Sequence, residues 1–183
     1  MVMIMKATGI VRRIDDLGRV VIPKEIRRTM RIREGDPLEI YTDNEGGVIF
    51  KKYSQIEELS IITTQLCESI TEECKLPVVI CDRDHCIASA GIPRKEVIER
   101  RITPYAEELA EKRKIYSSGQ SAEPIYPLEG VDRALQVFAP IISNGDINGC
   151  VMLLDSSENI THTESELKLI STAAVFLGKQ MEE

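Results

Sequence analysis

The amino-acid sequence predicts an α+β protein built from two domains, residues 1–53 and 54–183. The net charge changes sign near Tyr53: eleven Lys and Arg face eight Asp and Glu before that point, and twelve face twenty-two after it. The first segment alternates short β-branched runs with turn residues, whereas the second places two helical patterns around several strand signals. A length of 183 residues suits one ordinary domain or two small ones, and the change of charge near Tyr53 favours two.

The first domain is expected to contain four short strands and one short helix. Residues 15–18 (DDLG) predict a turn, and residues 44–47 (NEGG) predict a hairpin. Pro23 suits the first turn of a helix in which Ile26 and Met30 form a single apolar stripe. The expected strands are Thr8–Ile14, Val20–Ile22, Leu38–Thr42 and Val48–Phe50.

A segment as short as 1–53 cannot bury enough apolar surface to fold alone. Domains of about 60 residues are already marginal, and smaller ones usually depend on a metal, a disulfide or association. The segment contains neither cysteine nor histidine, so no metal or disulfide is indicated. We therefore expect an obligate dimer in which the strands of two chains complete one sheet or barrel.

Long helices are expected at both ends of the second domain. Residues 54–75 place apolar side chains at steps of three and four. Thr163 and Glu166 match a capping box, and the helix after them has a second apolar stripe made of Leu169, Ala173 and Phe176. Two stripes predict one contact with the chain's own sheet and another with helices of a second subunit. A single broad core face fits either helix equally well.

Strand signals lie between these helices, which predicts an antiparallel sheet with helices packed against it. Asn144-Gly145 is a strong hairpin signal. A further helix is expected over Ile98–Leu109. The expected strands are Pro77–Asp82, Cys86–Gly91, Ala134–Ile142 and Asn148–Leu154.

The sequence lacks the motifs of an enzyme. There is no GxGxxG, P-loop, HExxH or GxSxG pattern, and His85 and His162 are separated by 77 positions. We expect no catalytic residue and no cofactor. Five cysteines without a CxxC pair indicate reduced thiols, and the run 84–86 (DHC) lacks a second ligand pair, so no metal site is expected. Without a signal peptide or a long apolar run, we expect a cytoplasmic protein with no membrane partner.

A basic stretch, Lys6–Arg33, carries nine Lys and Arg against three Asp and Glu. A local net charge of +6 has the sign that binding to a polyanion requires, whatever the charge of the remaining chain. Aromatic residues are absent from residues 1–39, which disfavours base stacking on single strands and favours duplex DNA. The alternative is a solvated face whose arginines pair with Asp15, Asp16 and Glu25.

Residues 6–53, with the core GRVVIPKEIRR, resemble the DNA-binding domain of the AbrB transition-state regulators. This resemblance implies a swapped-hairpin fold in which two chains interleave their strands into one small barrel. It also implies a transcription regulator that activates some sporulation genes and represses others in a spore-forming bacterium. The DNA-contacting residues that the resemblance marks are Arg12, Arg13, Arg19, Arg27 and Arg28.

The second domain resembles the GAF domains of small-molecule sensors. In such domains a ligand often lies between the sheet and a segment that here corresponds to residues 115–131. No residue pattern names a ligand: Tyr116, Tyr126 and Arg133 suit a pocket or a surface position, and none is assigned to a ligand. A small-molecule effector therefore stays an open expectation, next to an oligomerising role that would make the protein a homotetramer.

The main alternative is an antitoxin, because related swapped-hairpin heads form the DNA-binding part of toxin–antitoxin pairs. Antitoxins usually continue into a disordered segment that wraps the toxin. Residues 54–183 show the periodicity of helices and strands, which favours the sensor arrangement.

Overall fold

The computed structural model describes residues 8–119, 123–156 and 162–182. The chain divides into two compact units, Met1–Tyr53 and Ser54–Glu183. This division falls at the residue where the net charge of the sequence changes sign. Lys6, the first cation of the basic stretch, lies outside the described residues.

The first unit contains helix α1 (Lys24–Thr29) and a hairpin of strands β1 (Leu38–Thr42) and β2 (Val48–Lys52). The strands are antiparallel, with Ile40 opposite Phe50. Asp43 closes the loop between them, since its Oδ1 accepts hydrogen bonds from the backbone N–H of Glu45 at 2.9 Å and of Gly47 at 2.6 Å. The helix predicted after Pro23 and the hairpin predicted at residues 44–47 are confirmed.

The two strands expected at Thr8–Ile14 and Val20–Ile22 are absent from the single chain, in a segment that the structure describes in full. A β-strand requires a second backbone to which its N–H and C=O groups can bond. In this segment the backbone closes only a turn, where the N–H of Asp15 donates to the carbonyl oxygen of Arg19 at 3.0 Å. Apolar side chains on both sides of the turn stay exposed, and 84% of Val11 is accessible to solvent.

The second unit is built on a five-stranded antiparallel sheet. Its strands are β3 (Val78–Cys81), β4 (Cys86–Ala90), β5 (Tyr116–Ser117), β6 (Leu135–Ser143) and β7 (Asp146–Leu154), in the order β4-β3-β7-β6-β5. Asn144 and Gly145 have φ angles of 49° and 84°, as a tight hairpin turn between β6 and β7 requires. The four expected strands are confirmed with small shifts at their ends, whereas β5 had no sequence signal.

Helices follow the prediction at the ends of this unit and depart from it in the middle. The expected helix 54–75 is interrupted at Leu59, which separates α2 (Gln55–Glu58) from α3 (Ser60–Cys74). The final helix, α6, spans Glu164–Gln180. Its capping box is confirmed, because the backbone N–H of Thr163 donates to the carboxylate of Glu166 at 2.7 Å and the Thr163 hydroxyl accepts from the backbone of Ser165 at 3.2 Å.

The helix expected over Ile98–Leu109 is wrong in its first half. The structure has two short helices instead, α4 (Arg94–Val97) and α5 (Pro104–Glu111). Pro104 disfavours helical backbone at the residue before it, and Thr103 is extended with φ −75° and ψ 158°. Glu99 also has a positive φ of 64°, which no helix accommodates.

Both faces of the sheet are covered. On one face, side chains of β7 such as Val151 and Leu153 pack with those of α3 and α6. On the other face, Met152 and Leu154 pack with α5 and the segment from 125 to 131. The predicted second stripe of α6 is divided, since Ala173 belongs to the core while Phe176 is exposed. The second unit therefore has a hydrophobic core of its own.

Candidate nucleic-acid interface

The five arginines marked by the sequence lie at two places in the first unit. Arg12 and Arg13 precede the turn at residues 15–19, Arg19 ends it, and Arg27 and Arg28 lie on α1. All of them are exposed except Arg27, which is half-buried. The Nε atom of Arg27 is buried without a hydrogen-bond partner, so part of this guanidinium faces the protein.

One carboxylate organises the turn. Asp15 Oδ1 accepts hydrogen bonds from the backbone N–H of Leu17 at 3.0 Å and of Arg19 at 2.8 Å, and Asp15 Oδ2 accepts from Arg19 Nε at 2.9 Å. Gly18 has a φ of 76°, which glycine adopts without steric cost, and its N–H donates to the Asp15 carbonyl oxygen at 3.0 Å. The backbone N–H and the guanidinium of Arg19 hold the pKa of Asp15 below its ordinary value of 3.8.

Local backbone geometry ends α1 just after its arginines. The N–H of Ile32 donates to the carbonyl oxygen of Arg27 at 2.7 Å, and the N–H of Arg31 donates to that of Arg28 at 3.3 Å. Arg31 has a φ of 50°, so these bonds form a Schellman motif in which arginine occupies the usual glycine position. Lys52 Nζ donates to the carbonyl oxygen of Arg31 at 3.1 Å, which joins this helix end to β2.

A buried carboxylate supports the same corner. Asp36 Oδ2 accepts from the backbone N–H of Arg33 at 2.8 Å and lies 3.8 Å from Lys52 Nζ. The side chain of Asp36 is only 4% exposed, so water screens this ion pair weakly. Lys52 is one of the eleven Lys and Arg counted in residues 1–53, but its charge contributes to the fold of this unit.

The alternative interpretation of the basic stretch, ion pairs with neighbouring acids, applies to Arg19 because that residue contacts Asp15. One further cation lies on the same helix as Arg27 and Arg28. Lys24 is exposed at the start of α1, four residues before Arg28, and residues at this spacing share one face of a helix. That spacing was readable from the sequence alone.

The described residues of the second unit offer no metal site. Among them, no group of three or more His, Cys, Asp or Glu side chains is placed to hold an ion. All five cysteines are buried as free thiols, and burial raises the pKa of Cys81, whose strand neighbours are Cys86 and Cys150. A thiol with a raised pKa is a poor nucleophile.

A histidine contact that sequence spacing did not reveal lies beside β5. His162 Nε2 lies 2.6 Å from Ser117 Oγ, and His162 Nδ1 lies 3.1 Å from Gln136 Oε1 and 3.3 Å from Ser118 Oγ. Both groups near Nδ1, the Gln136 amide and the Ser118 hydroxyl, are neutral, whereas the histidine of a catalytic serine–histidine pair usually contacts a carboxylate there. The backbone N–H of Ser118 donates to the carbonyl oxygen of Gln136 at 2.7 Å. This N–H is thus not available to stabilise the oxyanion of a serine hydrolase. The contacts of His162 instead join the start of α6 to the edge of the sheet.

None of the helices in the described part of the chain has the length and apolar character that a membrane crossing requires.

Family comparisons divide the chain in a similar way. Residues 58–182 match the family described as Stage V sporulation protein T C-terminal, transcription factor. Residues 11–58 match the family described as Antidote-toxin recognition MazE, bacterial antitoxin.

Two relatives come from Bacillus subtilis (strain 168). Stage V sporulation protein T is 45% identical over 181 residues, which is 98% of this chain and 100% of that protein. Transition state regulatory protein AbrB is 65% identical over 51 residues, which is 28% of this chain and 52% of AbrB. The resemblance of the N-terminal segment to AbrB regulators is confirmed.

A solved structure of the cyanobacteriochrome receptor PixJ has a TM-score of 0.54 and 19% identity, covering 71% of this chain and 99% of that one. This likeness concerns the fold, and residues 54–183 have the GAF-like sheet flanked by helices that the sequence implied. Identity over almost the whole length and the match to residues 58–182 place the chain in the stage V sporulation protein T family of transcription factors.

Proposed function

We propose that the protein regulates transcription of sporulation genes in the cytoplasm of a spore-forming bacterium, as activator and repressor, by binding duplex DNA. The observation that carries this proposal is the position of the marked arginines. They lie in the segment that is 65% identical to AbrB, and Arg12, Arg13, Arg19 and Arg28 are exposed there. Guanidinium groups bind phosphate oxygens in bidentate fashion and also reach guanine edges in the major groove.

A dimer of the first unit would bring two sets of these arginines to one duplex. Its formation is supported by exposed apolar side chains at the segments expected to be strands, such as Ile14 and Val21. Pairing with a second chain would give the backbone of 8–14 and 20–22 the hydrogen-bond partners that a single chain does not provide. Two chains would then offer ten arginines in place of five.

The salt dependence of binding tests this function. Fluorescence anisotropy would follow the full chain on a labelled duplex of genomic DNA at increasing salt concentration. If six to ten phosphates are contacted, affinity should fall about 10³- to 10⁵-fold between roughly 50 and 200 mM salt. An affinity that does not depend on salt would contradict the proposal.

A matched pair of variants separates the interface from net charge. Arg28→Ala should weaken binding and lower the salt slope by about one unit for each phosphate that the side chain neutralises. Lys95→Ala removes the same charge from an exposed position on α4 of the second unit and should leave both quantities nearly unchanged. Equal effects of the two variants would show that only the total charge matters.

The second unit would join two such dimers into a tetramer. Exposed apolar residues on its α3 and α6 support this role, among them Ile61, which is 73% exposed, Val175 and Phe176. Two heads on one duplex would gain affinity through effective concentration. Phe176→Ser should shift the full chain from tetramer to dimer in analytical ultracentrifugation, and an unchanged mass would exclude this face.

A small-molecule effector would have to displace part of the core. Within the segment expected to cover a ligand, 115–131, the residues at 120–122 lie outside the described residues. Of the others, Tyr116, Ile125 and Leu128 are buried in the second core. An effector would thus act by rearranging this segment, and it should change the hydrogen exchange of residues 125–131 when it binds.

An antitoxin is the second candidate, and the match of residues 11–58 to the antitoxin family favours it. Residues 54–183, however, already contain a sheet with cores on both faces, whereas a toxin-wrapping segment gains its order on binding. Limited proteolysis of the full chain without any partner should leave this unit intact. Rapid digestion would instead favour the antitoxin.

A further inference from the structure

Asp15 is an acid inside the most basic part of the chain, and all three of its described side-chain hydrogen bonds stay within one turn. Two bonds fix the backbone of Leu17 and Arg19, and the third holds Arg19 Nε at 2.9 Å. The same carboxylate therefore shapes the turn and fixes the direction of one guanidinium. Among the five arginines marked by the sequence, Arg19 is the one held by a carboxylate in the described part of the chain.

Stability does not account for this pair. The side chain of Arg19 is 69% exposed and that of Asp15 is 34% exposed, and ion pairs in such positions add little to folding. What the contact does change is conformational freedom. An arginine side chain has many rotamers, and the hydrogen bond that Nε donates to Asp15 at 2.9 Å selects those that place the guanidinium beside the carboxylate. The backbone N–H of Arg19, which donates to the same carboxylate at 2.8 Å, holds that carboxylate in place before any ligand arrives.

The orientation leaves a particular part of the guanidinium pointing away from the carboxylate. Nε is engaged by Asp15, whereas the two Nη atoms at the outer end carry the other four N–H donors. An end-on fork of two Nη donors matches the O6 and N7 acceptors of guanine in the major groove. A carboxylate next to the fork also repels phosphate oxygens, so Asp15 disfavours the phosphate contacts that Arg19 would otherwise make.

We propose that Asp15 is a positioning residue, which holds the guanidinium of Arg19 for end-on recognition of a guanine in duplex DNA. This inference rests on the proposed function and deepens it, because it assigns to Arg19 a part in sequence discrimination. The other marked arginines have no such restraint in the described residues. Arg12 Nη1, for example, donates only to the carbonyl oxygen of its neighbour Val11 at 3.2 Å.

The test compares variants of the full chain on two duplexes. The first duplex is selected by the wild-type protein from a randomised library. The second carries A·T in place of one G·C pair. That pair is the one whose replacement costs the wild-type protein much affinity and Arg19→Lys little. Lysine keeps the charge but lacks the fork, so this variant finds the base pair that the fork recognises. The measured quantity is the ratio of affinities for the two duplexes.

The wild-type ratio should be about 5- to 150-fold, as expected for one bidentate contact. Asp15→Asn should bring the ratio close to one. The affinity of this variant for the A·T duplex should equal that of the wild type or exceed it, because a negative charge is removed. Asparagine keeps an oxygen acceptor for the backbone N–H groups of Leu17 and Arg19, so the turn should persist. An unchanged unfolding midpoint would verify this.

Asp16→Asn is the matched control. It removes the same charge from the exposed neighbouring residue, for which no contact with Arg19 is described, and should keep the wild-type ratio. If Asp15→Asn also keeps the ratio, or if no base pair responds to Arg19→Lys, the positioning role is wrong while DNA binding stands. If the wild-type protein binds no duplex in a salt-dependent way, the proposed function itself fails.

Discussion

The two units of this chain bury their apolar side chains in different ways. In the second unit, sheet residues such as Ile80 and Val151 are fully buried between strands and helices of the same chain. In the first unit, Ile14 is 69% exposed and Val11 still more. One unit therefore completes its core within the chain, whereas the other has apolar residues whose burial requires a second molecule.

The largest expected effect is on the closed core. Ile80→Ala should lower the free energy of unfolding of the second unit by about 2–5 kcal/mol, because it leaves a cavity between well-packed neighbours. The effect should be independent of protein concentration in urea titrations of the full chain. A cost below about 1 kcal/mol would mean that the core is loosely packed.

A smaller loss is expected where α6 approaches β6. A Cβ at Gly178 would collide with the carbonyl oxygen of Ile142, so Gly178→Ala should force the helix away from the sheet. We expect destabilisation by about 1–3 kcal/mol, although alanine is the better helix former. Lys179→Ala, on the exposed side of the same helix, is the control. If Gly178→Ala raised stability, the close packing would be refuted.

The cap of α6 is the next test of how the second unit holds its helices. Thr163→Ala removes the side-chain acceptor for the backbone N–H of Ser165 and should cost about 0.5–2 kcal/mol. Thermal unfolding would measure this change. Thr172→Ala, in the middle of the same helix and exposed, should cost less.

The same cap predicts a dependence on acid. The hydroxyl and then the backbone N–H of Thr163 hold the pKa of Glu166 below its ordinary value of 4.5. Because the folded pKa is the lower one, the stabilisation is present above pH 4.5 and is lost as the pH falls through the folded value. Glu166→Gln should flatten this part of the stability curve measured between about pH 6 and pH 3. An unchanged slope would show that the carboxylate does not act as described.

The smallest effect on a single chain is expected in the first unit. Ile14→Ala should change the stability of an isolated chain by less than about 0.5 kcal/mol, because the side chain is mostly in water there. Any larger cost should appear as weaker association of two chains, measured by ultracentrifugation over a range of concentrations. A large cost that does not depend on protein concentration would show that Ile14 is already buried within a single chain.

Sequence reasoning succeeded where structure is local or strongly periodic. Helix α1, the β1–β2 hairpin and the capping box of Thr163 follow from short-range signals, and the sheet strands follow from apolar runs between turns. It failed at Ile98–Leu109, where Pro104 outweighed the charged helical pattern. Strand β5 has only two residues, and its pairing with β6 is a long-range contact that leaves no local pattern.

The sequence identified the residues of the candidate site but did not predict their contacts or their burial. The arginines stand in the segment that resembles the AbrB regulators, so the motif was enough to mark their positions. Pairing of the arginines with Asp15 was one of the alternatives that the sequence offered, but it did not indicate that Arg19 would be the partner. That choice and the half-buried state of Arg27 depend on backbone geometry. The i, i+4 relation of Lys24 and Arg28 was accessible from spacing, but the motif marks arginines alone and so did not point to the lysine.

The first residue of the outer strand β4 already has backbone partners beyond the sheet. The N–H of Cys86, at the start of the outer strand β4, donates to the carbonyl oxygen of Arg100 at 2.9 Å, and its carbonyl oxygen accepts from Glu99 at the same distance. The segment after α4 thus occupies backbone groups that an incoming peptide or a neighbouring copy would use to extend the ladder. Assembly through this end of β4 would first have to displace that segment, so edge-to-edge pairing is disfavoured at Cys86.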